Sequence, residues 1–282
     1  MELYHIGNVK DSVKLGKYTL GDRKMKGMIQ LLLIGTLISA CSDDPTAPAG
    51  DGTATFSMRL SSSTGSISKS TSSSAVADTI FSVTDLSGTL FTIKEARVSV
   101  RHIQFDFPDD VTDTLSVDKI SIDGPFVINL MTGESTPAIG EFTIQSGLYK
   151  RIDVRLDDSK ASDGLVDSSD ALFENTLVVA GNFDYDNVLG RSFSIILKFN
   201  EDVRFEEPGG ILIDENALND VVLNLLVDEW LQGIDITTCL EDGDLILDGD
   251  GNLLIDDEAG GGNCNDIEGI IKSNIKNNYD LD

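Results

Sequence analysis

From Thr53 onward the apolar residues of this chain recur at every second position, and that period decides what it can fold into. A strand turns alternate side chains to opposite faces, so a period of two describes a sheet with one wet face. A helix needs apolar residues three and four apart. In KRIDVRLDD, Ile152, Val154 and Leu156 alternate with Arg151, Asp153 and Arg155. Phe193, Ile195, Leu197 and Phe199 form a second such row. Leu177, Val179, Gly181, Phe183 and Tyr185 form a third, and Val221, Leu223, Leu225 and Val227 a fourth. Ile120, Ile122, Phe126, Ile128 and Leu130 keep one parity through Gly124-Pro125, which predicts a long edge strand bent at that pair. Turn signals such as Ser87-Gly88, Pro108-Asp109-Asp110, Ser146-Gly147 and Pro208-Gly209-Gly210 separate the runs, with no long helical pattern between them. The expected fold class is all-β, an antiparallel immunoglobulin-like or transthyretin-like β-sandwich over residues 53–230.

One run breaks parity. In FTIKEARVSVRHIQFDF, Val98 and Val100 are even while Ile103, Phe105 and Phe107 are odd, so the apolar face switches at Arg101-His102, as at a β-bulge. His102 is read as a strand histidine at that bulge, with a lone ligand or acid as the functional alternative. The segment 61–79 begins with nine serines in fifteen residues and cannot bury a core, so it is expected to be a loop. After the sandwich the pattern changes. VDEWLQGIDI reads as one helical turn around Trp230, and DLILDGDGNLLID as a hairpin. NDIEGIIKSNIKNN places Ile267, Ile270, Ile271 and Ile275 on one helical face, with Asn265 and Glu268 as a capping box and Glu268 and Lys272 as an i,i+4 pair. Residues 231–282 are thus expected to form a hairpin-plus-helix appendage at one end of the sandwich.

The start of the chain has a different logic. Lys24 and Lys26 precede MIQLLLIGTLI and then Ser39-Ala40-Cys41, a cationic region, a short apolar stretch and small residues before a cysteine. "LISAC" resembles the bacterial lipoprotein box, so residues 1–40 are read as a lipoprotein signal peptide and Cys41 as the lipidated N-terminus. Residues 41–52, acidic and rich in Pro and Gly, read as a flexible tether. Residues 1–40 hold six basic and three acidic residues, so the remaining 242 carry 15 basic and 45 acidic side chains, a net charge of −30. Such a surface repels phosphate backbones, and nucleic-acid partners are excluded. The expected location is extracytoplasmic, anchored to the outer membrane on its periplasmic or external face.

Outside the cytoplasm thiols pair, and Cys239 and Cys264 flank the predicted hairpin, so a disulfide is expected there, two buried free thiols being the alternative. Asp248, Asp250 and Asn252 match the first three ligand positions of a calcium loop, with Asp256 further along. The match then fails, because Leu253 stands where the turn requires glycine, and a polar hairpin turn competes with calcium as the account. A second acidic group, Asp157, Asp158, Asp163, Asp167 and Asp170, could gather a hard cation at the rim of the sandwich. No phosphate loop and no nucleophile elbow are present, and one histidine remains after residue 40, so a non-enzyme is expected. Two alternatives stand beside it. One is a polysaccharide-binding surface module with Trp230, Tyr149 and Tyr185 as sugar platforms, Trp230 being read first as a core or domain-junction anchor. The other is a glycosidase using two carboxylates, which folding can bring together without any spacing signature.

The run INLMTGESTPAIGEFTIQSGLYKRIDVRL, followed by NTLVVAGNFDYD and SFSIILKFNEDVRF, resembles the bacterial lipoprotein module catalogued as domain of unknown function 4382. The matching residues are Leu130, Gly147 with Tyr149, and Gly181-Asn182-Phe183, within a coverage of about Thr53 to Val227. The serine-rich insert and the cysteine-flanked tail depart from that pattern. The resemblance implies a lipoprotein β-sandwich and no catalytic residues. The expectation is therefore a lipid-anchored lipoprotein with a non-catalytic binding or structural role at the cell envelope, with glycan or an envelope protein as partner and no cofactor unless calcium.

Overall fold

The computed structural model describes residues 50–63, 80–106 and 120–281. The signal peptide, Cys41, most of the tether, residues 64–79 of the serine-rich segment and the turn at Pro108 lie outside the described residues. The strands are β1 (Asp51–Ser61), β2 (Phe81–Thr84), β3 (Leu90–Asp106), β4 (Ile120–Asn129), β5 (Glu134–Thr136), β6 (Phe142–Gln145) and β7 (Gly147–Leu156). They continue as β8 (Leu177–Tyr185), β9 (Val188–Leu197), β10 (Glu201–Ile213), β11 (Leu218–Leu226), β12 (Leu253–Ile255) and β13 (Tyr279–Leu281). Helices α1 (Ile236–Glu241) and α2 (Ile267–Asn277) lie in the tail.

Two sheets form an all-β sandwich. The large one runs β10-β7-β3-β8-β9-β12, with β2 and β4 also on β3 and β5 on β4. The small one runs β13-β11-β1-β6. The predicted apolar rows face inward: Ile152, Val154, Leu156, Phe193, Ile195, Leu197, Val221, Leu223 and Leu225 are all buried, while Ile120, Ile122 and Tyr185 at the ends of the other two rows are partly buried against the same core. Phe105 of β3 shows how the sheets meet, since its ring packs edge-on against Phe56 of β1 at 6.3 Å and lies 5.6 Å from Phe142 of β6. Burying a phenylalanine of this kind stabilises the fold by roughly 2 to 3 kcal/mol.

The seventeen-residue β3 organises the large sheet, and it bulges twice, between Ile93 and Glu95 and between Val100 and His102. Both bulges are met by a glycine. A Cβ on Gly181 of β8 would lie 1.9 Å from the Thr92 carbonyl, and one on Gly124 of β4 2.8 Å from the carbonyls of Val100 and Arg101. The neighbouring strand follows the kinked backbone there only because it carries no side chain.

Several expectations need correction. The pairing is not antiparallel throughout: β1 runs parallel to β11, and β12 parallel to β9. The serine-rich segment begins later than composition suggests, because Ser61 still pairs with Leu226 in β1. The tail is no appendage. Its β12 adds to the large sheet and its β13 to the small one, both completing edges already present. The predicted hairpin reduces to a single bridge between Leu247 and Leu253, since β12 takes its ladder from β9 instead. The capping box does not form. The turn Gly262–Cys264 runs straight into α2, which leaves Asn265 in helical geometry and Asp266 at the N-cap without a side-chain cap. The Glu268–Lys272 pair is present.

Candidate functional site: the polar outer face of the large sheet

The bulge at Arg101 builds this face. Val98 and Val100 are buried before it, Ile103 and Phe105 after it, so the consecutive residues Arg101 and His102 both reach the outer side. Two polar rungs cross four strands there. Asp123, His102, Arg155 and Asp202 form one, and Ser121, Gln104, Asp153 and Arg204 the next. Between them lies an open concavity of about 490 Å³, lined by His102, Gln104, Asp153, Asp202 and Arg204. Its carboxylates are engaged: Arg155 donates to Asp202 at 3.0 Å, and Arg204 donates to Asp153 at 3.2 Å, with Arg151 3.3 Å from the same carboxylate. Among the described residues the lining contains no serine, threonine or cysteine, so His102 has no hydroxyl or thiol beside it there. Such alternating charge suits the binding of a polar partner.

Beside the concavity the acidic loop 157–170 folds down on β3. Arg101 donates two hydrogen bonds to Asp163, at 2.9 and 2.8 Å, one to Asp157 at 3.2 Å, and one to the Asp158 carbonyl at 2.9 Å. Arg97, four residues earlier, donates two to Asp170 at 2.8 Å. Bidentate pairs of this kind are the strong, directional class of ion pair. The hydrogen bonds from Arg97 hold the Asp170 carboxyl below the usual range. Burial alone would raise Asp163, but the bonds from Arg101 and the Lys160 main chain outweigh it and the carboxyl is also lowered. Leu172 closes the loop, fully buried with Val127 and Val178 in a small apolar cluster on the outer side. The acidic group expected to gather a cation thus holds two arginines in its place. Sequence reasoning missed them, although Arg97 and Arg101 stand at outward positions of a strand, where an acid-rich loop is a natural counter-charge.

The remaining candidates are scattered. Trp230 and Tyr149 are buried, at 2% and 0% exposure, so neither presents a sugar platform. The Tyr149 hydroxyl donates to the Gln145 carbonyl at 2.8 Å, and burial pushes its pKa up. Tyr185 is half-buried, stacked on Phe183. Asp248, Asn252 and Asp256 line one groove, together with Glu258, whereas Asp250 does not. Asp248 accepts hydrogen bonds from the main-chain N–H of Asp250 and Asn252 and from the Asn252 side chain, which makes it the organiser of its own turn. Among the described residues no three acidic, histidine or cysteine side chains converge on a point that could hold a metal ion. Cys239 of α1 and Cys264 form a disulfide that closes the segment containing this groove and β12.

No family model, no curated protein and no solved structure matches this chain. The likeness to the lipoprotein module therefore rests on the residues quoted above.

Proposed function

We propose that this protein is a lipid-anchored extracytoplasmic lipoprotein of the bacterial cell envelope with a non-catalytic binding or structural role. The observation that carries the reading is the pairing of Cys239 with Cys264 in a chain whose only other cysteine closes LISAC. A disulfide between buried cysteines belongs to an oxidising compartment, and the remaining thiol stands where diacylglycerol would be attached. The outer face supports binding over chemistry, since its carboxylates Asp153 and Asp202 are each held by an arginine. The test is the intact mass of the chain isolated from native membranes, beside that of Cys41→Ala. The expected result is a wild-type chain starting at residue 41 and heavier by diacylglycerol, and an unlipidated variant. A wild-type chain retaining residues 1–40 with a bare Cys41 overturns the reading.

A further inference from the structure

The concavity on the outer face of the large sheet is laid out as a grid. His102 and Gln104 of β3 and Asp202 and Arg204 of β10 stand at its corners, and Asp153 of β7 lies between Gln104 and Arg204. Two residues along each strand and two strand spacings across, the corners enclose roughly 7 by 10 Å. Hydrogen-bonding capacity is left over at every corner. His102 is half-buried and has no hydrogen bond or ion pair among the described residues. Gln104 donates its Nε2 to Asp106 at 3.1 Å, which leaves Oε1 as an acceptor. Arg204 donates to Asp153 through Nε, which leaves both terminal nitrogens as donors. Asp202 accepts from Arg155 at Oδ2, which leaves Oδ1. Charge is balanced here. After residue 40 the chain has 45 acidic and 15 basic side chains, yet each carboxylate of this lining is held by an arginine, Asp202 by Arg155 and Asp153 by Arg204.

We propose that this concavity is a binding site for an uncharged sugar. A hydroxyl donates and accepts at one atom, so neighbouring ring hydroxyls take hydrogen bonds from the Arg204 nitrogens and give them to the free oxygens of Asp202 and Gln104. The unpartnered imidazole of His102 adds one donor and one acceptor. An anion would face Asp153 and Asp202, and a cation would have to displace an arginine from one of them. An apolar ligand gains nothing, because the described lining residues are all polar and would lose water to it. The volume of about 490 Å³ lies within the range of small-molecule sites, about 300 to 1,000 Å³. With no aromatic ring among the described lining residues, affinity rests on hydrogen bonds, and a dissociation constant on the order of 1 mM is expected. The assignment rests on the binding role proposed above but not on lipidation of Cys41, so a bare Cys41 and an empty concavity defeat different claims.

His102 is the one histidine after residue 40, so its imidazole nitrogen resonances report on this site, and His102→Asn tells them from those of His5. The experiment titrates the ¹⁵N-labelled full chain with glucose, galactose, mannose, xylose, rhamnose and N-acetylglucosamine. Galacturonic acid and glucosamine serve as charged analogues. The expected result is a saturable shift of the His102 signals with at least one neutral sugar, and binding at least about tenfold weaker for the charged analogues and for Q104A/R204A. Q104A alone breaks no arginine–carboxylate pair, so it carries the test if the double variant does not fold. An unmoved His102 signal with all six neutral sugars overturns the proposal. So does equal or tighter binding of a charged analogue, or undiminished binding by the folded variants, which would place the sugar elsewhere on the molecule.

Discussion

Two acidic loops of this molecule look alike in sequence and are held by opposite means. In the loop 157–170 the carboxylates of Asp157, Asp163 and Asp170 close on Arg101 and Arg97, so the loop is fixed by ions that come from a strand some sixty residues earlier in the chain. In the segment 244–258, Asp248 and Asp256 accept from main-chain N–H groups of their own turns, and the segment is held by the ladder of β12 on β9 and by the Cys239–Cys264 bond that closes around it. Carboxylate density is the same signal in both. What differs is where the strand cations go: Arg97 and Arg101 bind the carboxylates of the first loop, whereas Arg191 of β9 reaches only the Gly251 carbonyl of the second. The first loop is therefore sensitive to charge, pH and salt, and the second to reduction.

The largest effect belongs to the covalent clamp. Removing a cross-link that spans 25 residues costs about 3.5 kcal/mol in the chain-entropy model. C239S/C264S, or reduction of the wild type, should lower the urea midpoint accordingly, with buried Trp230 as the fluorescent reporter. The contrast breaks if the doubly substituted chain keeps wild-type stability.

Next comes the ionic clamp. R101A leaves Asp163, 8% exposed at its side chain, without its bidentate partner. That should cost about 3 kcal/mol, the low end for stripping one partner from a buried pair, because a fifth of the Arg101 side chain still meets water. D163N should cost less, since the amide keeps one acceptor. Raising the salt should narrow the difference between R101A and wild type while leaving the cost of C239S/C264S unchanged. If salt moves both costs equally, the two loops are not held by different forces.

The pH dependence sharpens the same contrast, with a smaller effect. The carboxyls of Asp163 and Asp170 are lowered in the folded state relative to an unfolded value of about 3.9. A lowered folded pKa stabilises the fold fully above the unfolded value, and that stability is lost as pH falls through the folded one. Urea melts of wild type and D163N/D170N should therefore differ most at pH 6 to 7 and converge below about pH 4. A difference that persists unchanged at pH 3 would show that the two aspartates act through shape rather than charge.

The two loops also mark how far the sequence could be read. Strand positions, the bulge at Arg101, the helix at Ile267 and the cysteine pair were all legible, because each is written in local period, local turn chemistry or plain counting. The partners of Asp163 and Asp170 were not, since a register between β3 and a loop sixty residues away leaves no local trace. The same holds for the parallel pairing of β1 with β11, and for β13, whose three residues are too few for any period. Gly181 read as one place in an apolar row and Gly124 as part of a bend, and only the opposed carbonyls of β3 explain why a side chain is excluded there. Trp230 is the core anchor it was first read as, and the sugar-platform alternative failed for it and for Tyr149 because composition gives residue type and not burial.

The smallest effect concerns calcium and the second loop. Asp248 sits in solvent, and the main-chain N–H of Asn252 is the main reason its carboxyl is held below the usual range. Those hydrogen bonds occupy the oxygens that a calcium loop would turn toward the ion, and an asparagine can accept the same main-chain donors. D248N should therefore shift the melting temperature by no more than about 1 °C, as for a surface substitution away from any packed feature. Millimolar calcium should leave wild type and D248N melting together, since stabilisation by a ligand requires a site that the folded state alone provides. A calcium-dependent rise seen in the wild type and lost in D248N would mean that the turn opens to take the ion, and that the second loop, like the first, is held by charge.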